Sequence, residues 1–156
     1  MSTASNPVQD VLRTAIQREI DAYTLYSTTA ESVETPHARD LLKELAAQEL
    51  GHRNRLESLL AGNVFRVLSR TQQKKFVDLK ITDYLTEEPL TTSSDFQDIL
   101  IVAGKREKAS FELYSALARV SNDPETTKLF GFLANEELGH KHRIESLYDE
   151  LVYREN

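Results

Sequence analysis

The chain has 156 residues, no cysteine, a formal net charge of −6 and a sequence pI near 5.3. This length suits a single domain with a sizeable core over residues 1–156. The missing cysteine excludes disulfides, iron–sulfur clusters and cysteine-type zinc sites and fits a reducing cytoplasm, while the acidic balance argues against bulk nucleic-acid binding.

The polar stretch Met1–Asn6 has no apolar run behind it, so no signal peptide is expected. Nor does any apolar stretch reach the roughly 18 residues of a membrane span. A first helix is predicted from the capping pair Asn6-Pro7 to about Ser32. Its stripe is Val8, Leu12, Ile16, Glu19, Tyr23, Tyr26 and Ala30, so Glu19 stands inside an apolar face, where a carboxylate is costly without a partner.

A second helix should start at Thr35-Pro36 and run to about Ala61, with Gly62 as the stop. Its stripe reads Leu41, Leu45, Glu49, His52, Leu56 and Leu59 or Leu60. The short link makes the two helices antiparallel neighbours.

The pattern breaks over about 62–93, where basic, apolar and turn residues mix. Arg70 to Leu79 could form a short helix, and the basic run Arg66–Lys80 reads as solvated loop or helix. Phe65, Phe76, Leu79, Ile81 and Tyr84 are expected to pack this crossover onto the rest. A third helix is predicted from Ser94 or Asp95 to about Ser121, with Phe96, Leu100, Ala103, Glu107, Phe111, Tyr114 and Ala118 on its inner face. A fourth is predicted from Asp123-Pro124 to about Tyr153, with Leu129, Leu133, Glu137, His140, Ile144 and Leu147 inside.

The two halves repeat. An offset of 88 residues carries Glu49-Leu50-Gly51-His52 onto Glu137-Leu138-Gly139-His140, Glu19 onto Glu107, Tyr26 onto Tyr114 and Pro36 onto Pro124. Repeat 1 spans about 8–61 and repeat 2 about 94–153. Residues three apart share a helix face, so each Glu-x-x-His can aim both side chains at one metal ion. The fold class is therefore all-α: an antiparallel four-helix bundle of two tandem helix hairpins joined by a long crossover. Two Glu-x-x-His helices facing two single-Glu helices is the known ligand arrangement of ferritin-like di-iron and di-manganese carboxylate proteins. The candidate metal ligands are Glu19, Glu49, His52, Glu107, Glu137 and His140. Four glutamates would balance two divalent ions, and without metal some would stay protonated. Carboxylate with imidazole suits iron, manganese or zinc.

Gly51 and Gly139 sit between the ligands in helix interiors, at about 1 kcal/mol each against alanine, and are read as room for close helix approach. Tyr26 and Tyr114 lie two turns beyond the single glutamates and could hydrogen-bond a ligand carboxylate. Tyr23, mirrored by Phe111, reads as core. His37, His142, Glu57, Glu136 and Glu145 read as surface or salt-bridged.

These motifs, Glu19-x6-Tyr26 with Glu49-x-x-His52 and Glu107-x6-Tyr114 with Glu137-x-x-His140, resemble the rubrerythrin branch of the ferritin-like superfamily, across all four helices. The resemblance implies two iron ions. Glu49 and Glu137 would bridge or chelate them, Glu19 and Glu107 would be terminal ligands, His52 and His140 would each cap one ion, and Tyr26 and Tyr114 would assist catalysis. It further implies an oxidoreductase that reduces hydrogen peroxide or oxygen, and a homodimer. The alternatives are a ferroxidase that binds ferrous iron for storage or delivery, and a non-catalytic bundle stabilised by metal. Rubrerythrins proper carry a four-cysteine rubredoxin domain, which this sequence lacks, so electrons would come from an external donor such as a rubredoxin-like protein. They also carry an extra glutamate one turn after the single glutamate of the third helix. Here that position is Ser110, its mirror is Ala22, and Glu112 falls on the wrong side. The remaining four-Glu, two-His set predicts two near-equivalent metal positions.

Overall fold

A computed structural model of the chain describes residues 7–62, 71, 74, 75, 78, 95–121 and 123–155. They form four long helices: α1 (Pro7–Ser32), α2 (Pro36–Ala61), α3 (Phe96–Val120) and α4 (Pro124–Glu155). The fold is an all-α, ferritin-like four-helix bundle. The expected starts are found at Pro7, Pro36 and Pro124, because proline at the first helical position needs no amide donor, and α3 starts at Phe96 behind the capping Asp95. The caps differ in detail. Asp95 accepts the amide of Asp98 at 2.9 Å, and Asp123 accepts both the amide and the hydroxyl of Thr126. Thr35 makes no side-chain cap bond. Gly62 ends α2 at φ −78°, so it is not the left-handed stop that its identity invites.

α1 packs along α2 and α3 along α4 as two hairpins. Two apolar clusters hold the hairpins together. One joins Val8, Leu12 and Ile16 of α1 to Leu56 of α2, Leu113 and Leu117 of α3, and Phe130 and Leu133 of α4. The other joins Tyr26 and Ala30 to Leu42, Leu45, Leu100, Ala103, Ile144 and Leu147. The start of α1 thus meets the end of α2, the end of α3 and the start of α4. It follows that α2 ends and α3 begins at opposite ends of the bundle. Each fully buried leucine here contributes about 1.5–3 kcal/mol.

The inner stripes shift slightly from the sequence reading. On α2, Leu42 is buried while Leu41 is half-buried, and on α4 Phe130 is buried while Leu129 is half-buried. A helix turns 3.6 residues at a time, so adjacent apolar residues compete for the core and the neighbouring helix decides. The close-approach reading of Gly51 and Gly139 is overturned, since a Cβ built at either would meet no atom within 4 Å. Of the short helix expected over 70–79, Thr71, Lys74, Lys75 and Asp78 are described, and they are helical and exposed. The rest of the expected crossover, with Phe65, Phe76, Leu79, Ile81 and Tyr84, lies outside the described residues. No helix among the described residues is long and apolar enough to cross a membrane.

Candidate di-metal centre

Between the two apolar clusters lie six buried polar side chains. Glu19 from α1, Glu49 and His52 from α2, Glu107 from α3, and Glu137 and His140 from α4 are each only 1–2% exposed. The bundle brings all six sequence candidates together. They form two groups, Glu19, Glu49, His52 and Glu137, and Glu49, Glu107, Glu137 and His140. Within each group one donor atom per residue lies within 4.8 Å of the others. Glu49 and Glu137 belong to both groups, whereas Glu19 and His52 belong to one and Glu107 and His140 to the other. Each group therefore takes a single glutamate and a histidine from one hairpin and a shared glutamate from each.

The histidines present Nδ1 to this cluster. His52 Nδ1 is 2.9 Å from Glu137 and 3.5 Å from Glu19. His140 Nδ1 is 2.6 Å from Glu49 and 3.6 Å from both Glu107 and Glu137. The two imidazoles stack with ring centres 5.6 Å apart. At 2.6 Å the His140–Glu49 pair still lacks hydrogen-bond alignment, and neither atom has another partner. Glu19 Oε2 and Glu107 Oε2 are likewise buried without hydrogen bonds. Buried polar atoms this close, aimed at one another and unsatisfied, are what a metal-ligand set leaves when described without its ion. The residues fit two divalent ions.

Electrostatics of the bare cluster show the same crowding. Burial, and then repulsion from Glu137, push Glu107 up to about 8. Glu49 rises well above the carboxylate range from burial and from Glu137, Glu107 and Glu19. Glu19 goes the other way: burial would raise it, but its close neighbours Glu49 and His52, with the hydroxyl of Tyr114, prevail and lower it. Burial opposes protonation of the histidines, yet the nearby carboxylates of Glu137 and Glu19 raise His52 to about 10, and those of Glu107 and Glu137 raise His140 to about 9. Protons thus share the space that cations would neutralise.

The tyrosines cross over. Tyr26 of repeat 1 donates its hydroxyl to Glu107 of repeat 2 at 2.5 Å, and Tyr114 of repeat 2 donates to Glu19 of repeat 1 at 2.5 Å. Burial, and then the carboxylates nearby, raise both phenols well above 10, which keeps them protonated donors. The bonds that orient these two carboxylates therefore also tie the hairpins together.

Three residues near the site escaped the sequence reading. Arg18 reaches across to α3, where its Nη2 is 3.4 Å from the Arg106 carbonyl and 3.1 Å from Ser110 Oγ. Its signal was available, because the offset of 88 carries Arg18 onto Arg106, beside each single glutamate. Glu136, read as surface or salt-bridged, has a carboxylate oxygen 3.6 Å from His52 Nε2. Gln48 Oε1 lies 2.5 Å from His140 Nε2. These two carry different side chains at mirrored positions, so the repeat did not mark them. The other surface assignments are matched: His37 and His142 are exposed, and Glu57 and Glu145 pair with Arg53 and Lys141.

Four helices with two Glu-x-x-His segments facing two single glutamates define the ferritin-like di-metal carboxylate class. The family model Rubrerythrin matches residues 10–148, which is most of the chain. The chain belongs to the rubrerythrin family, a ferritin-like di-iron family. Neither the curated proteins nor the solved structures include a match.

Proposed function

We propose that the chain is a di-iron oxidoreductase that reduces hydrogen peroxide or oxygen, using electrons from an external donor such as a rubredoxin-like protein. The observation that carries this reading is the sharing of Glu49 and Glu137 between two four-residue groups, which builds a site for a coupled pair of ions rather than two separate ones. When bound, two ferrous ions supply the two electrons that, with two protons, convert peroxide into two waters. Glu49 and Glu137 would hold both positions, and Glu19 with His52, and Glu107 with His140, would complete one position each. Tyr26 and Tyr114 fix the rotation of Glu107 and Glu19 and are the nearest buried proton donors to them. The apolar clusters on either side keep bulk water from the carboxylates. Manganese or zinc would suit the same donors, and only a redox-active ion supports this chemistry.

The test is anaerobic loading with ferrous iron, followed by oxidation with peroxide and with oxygen, and then turnover with a reduced donor protein. Sustained peroxide consumption supports the reading, and a single stoichiometric oxidation without turnover refutes it. The ferroxidase reading is favoured by one observation: Ser110, bonded to Arg18, stands where rubrerythrins proper carry an extra glutamate, so that position offers no carboxylate to a metal. Iron oxidation ending in a mineral core within a large shell would select it. We further propose a homodimer, and light scattering that shows a monomer across micromolar concentrations would refute it.

A further inference from the structure

The two hairpins are near copies at the ligands but not one layer out. In each histidine Nδ1 faces the carboxylates, so Nε2 is the nitrogen left to fix the ring. When Nδ1 binds a metal, the single proton of a neutral imidazole sits on Nε2 and needs an acceptor.

On the His140 side that acceptor is an amide held in a chain. Arg143 Nη2 is 2.7 Å from Glu44, Gln48 Nε2 is 3.4 Å from Glu44, and Gln48 Oε1 is 2.5 Å from His140 Nε2. Glu44 takes the amide nitrogen of Gln48, so the amide oxygen is the end turned to His140. The mirrored side is built differently. The offset of 88 carries Glu44 onto Phe132, Gln48 onto Glu136 and Arg143 back onto Arg55. Arg55 has no glutamate there to pair with and stacks over Phe132, 4.5 Å from the ring centre. Phe132 stands edge-on to His52 at 6.3 Å. The Glu136 carboxylate is left as the acceptor nearest His52 Nε2, at 3.6 Å, and that nitrogen is buried with no hydrogen-bond partner.

We propose that Gln48 and Glu136 are the positioning residues for the two ligand histidines, and that the amide on one side and the carboxylate on the other make the two metal positions inequivalent. A carboxylate accepting the Nε2 proton leaves more electron density on the ring than an amide does, so His52 is the stronger ligand. The near-equivalence expected from the ligand repeat is thereby broken outside the ligands. The second half of the proposal rests on the two-metal reading above. The first half does not.

The test uses cobalt(II) as a spectroscopic probe of the full-length, metal-free protein. Stepwise affinities are measured for the wild type, Glu136→Gln and Gln48→Ala. Glu136→Gln should weaken the tighter step by about 10-fold and draw the two steps together. Gln48→Ala should weaken the looser step by a similar factor and drive them apart. Glu57→Gln, an exposed loss of the same charge, should change neither. A spacing of the two steps that changes in the same direction for the two variants, or does not change, would overturn the inequivalence. A second readout needs no metal: the His140 Nε2 proton should be protected from solvent exchange in the wild type and lose that protection in Gln48→Ala. If the protection is absent from the wild type, the positioning role of Gln48 is overturned. If it is present while cobalt does not bind, the two-metal reading and the inequivalence both fall and the positioning role stands.

Discussion

Removing the two tyrosine hydroxyls should have unequal effects in the metal-free protein. Tyr114→Phe strips a bond from Glu19, whose pKa is lowered, so at pH 6 that carboxylate is ionised. Tyr26→Phe strips a bond from Glu107, which is protonated at pH 6 because burial and Glu137 raise it to about 8. Hydrogen bonds to charged groups contribute about 1.5–3 kcal/mol, and neutral ones about 0.5–1.5 kcal/mol. For a chain of this size each kcal/mol moves Tm by about 2–4 °C. Tyr114→Phe should therefore lower Tm by about 3–12 °C at pH 6, and Tyr26→Phe by about 1–6 °C. Both variants keep the ring, including the stacking of Tyr114 on Phe130. At pH 9 Glu107 is ionised as well, so the two losses should converge. Thermal unfolding after chelation, at pH 6 and pH 9, measures both. A larger loss for Tyr26→Phe at pH 6, or a difference that does not change with pH, would refute the assignment of charge to these carboxylates.

Three further outcomes are expected. Glu49→Gln or Glu137→Gln should lower bound metal, from about two ions per chain in the wild type, more than Glu57→Gln or Glu145→Gln does; equal losses by elemental analysis would remove the shared glutamates from the site. The chelated protein should lose stability as pH rises. Glu107 is raised from 4.5 to about 8, and His52 and His140 from 6.5 to about 10 and about 9, so their contributions are full below the lower values and are lost through the higher ones. Metal binding displaces those same protons, so the Tm difference between loaded and chelated protein should widen from pH 6 to pH 8, and a constant difference would mean that the metal binds elsewhere. Ser110→Glu should pair with Arg18, whose Nη2 already sits 3.1 Å from Ser110 Oγ, and leave the relative rates of peroxide and oxygen oxidation unchanged. In stopped-flow measurements a shift toward peroxide should appear only when Arg18→Gln is added, and a shift in the single variant would show that Arg18 does not hold the new carboxylate.

The six ligand candidates were legible in the sequence because helix geometry is local. Glu49 and His52 are three residues apart, and the same spacing recurs at Glu137 and His140, so a shared face follows from 3.6 residues per turn whatever the helix packs against. The helix starts at Pro36 and Pro124 were legible for the same reason, since proline and its preceding residue act on their own backbone. Relations between hairpins were not. Nothing in the chain order says that Tyr26 bonds Glu107 rather than Glu19, because Tyr26 and Glu19 share a helix face and only packing turns the hydroxyl across the core. Burial of Leu42 over Leu41 was decided by the facing helix. Gly51 and Gly139 were misread because close approach is a property of two helices, and their own helix carries no trace of it. Glu136 was read as surface and Gln48 was not singled out, because each lies one position before a ligand candidate, and the opposite hairpin is what supplies the histidine each one faces.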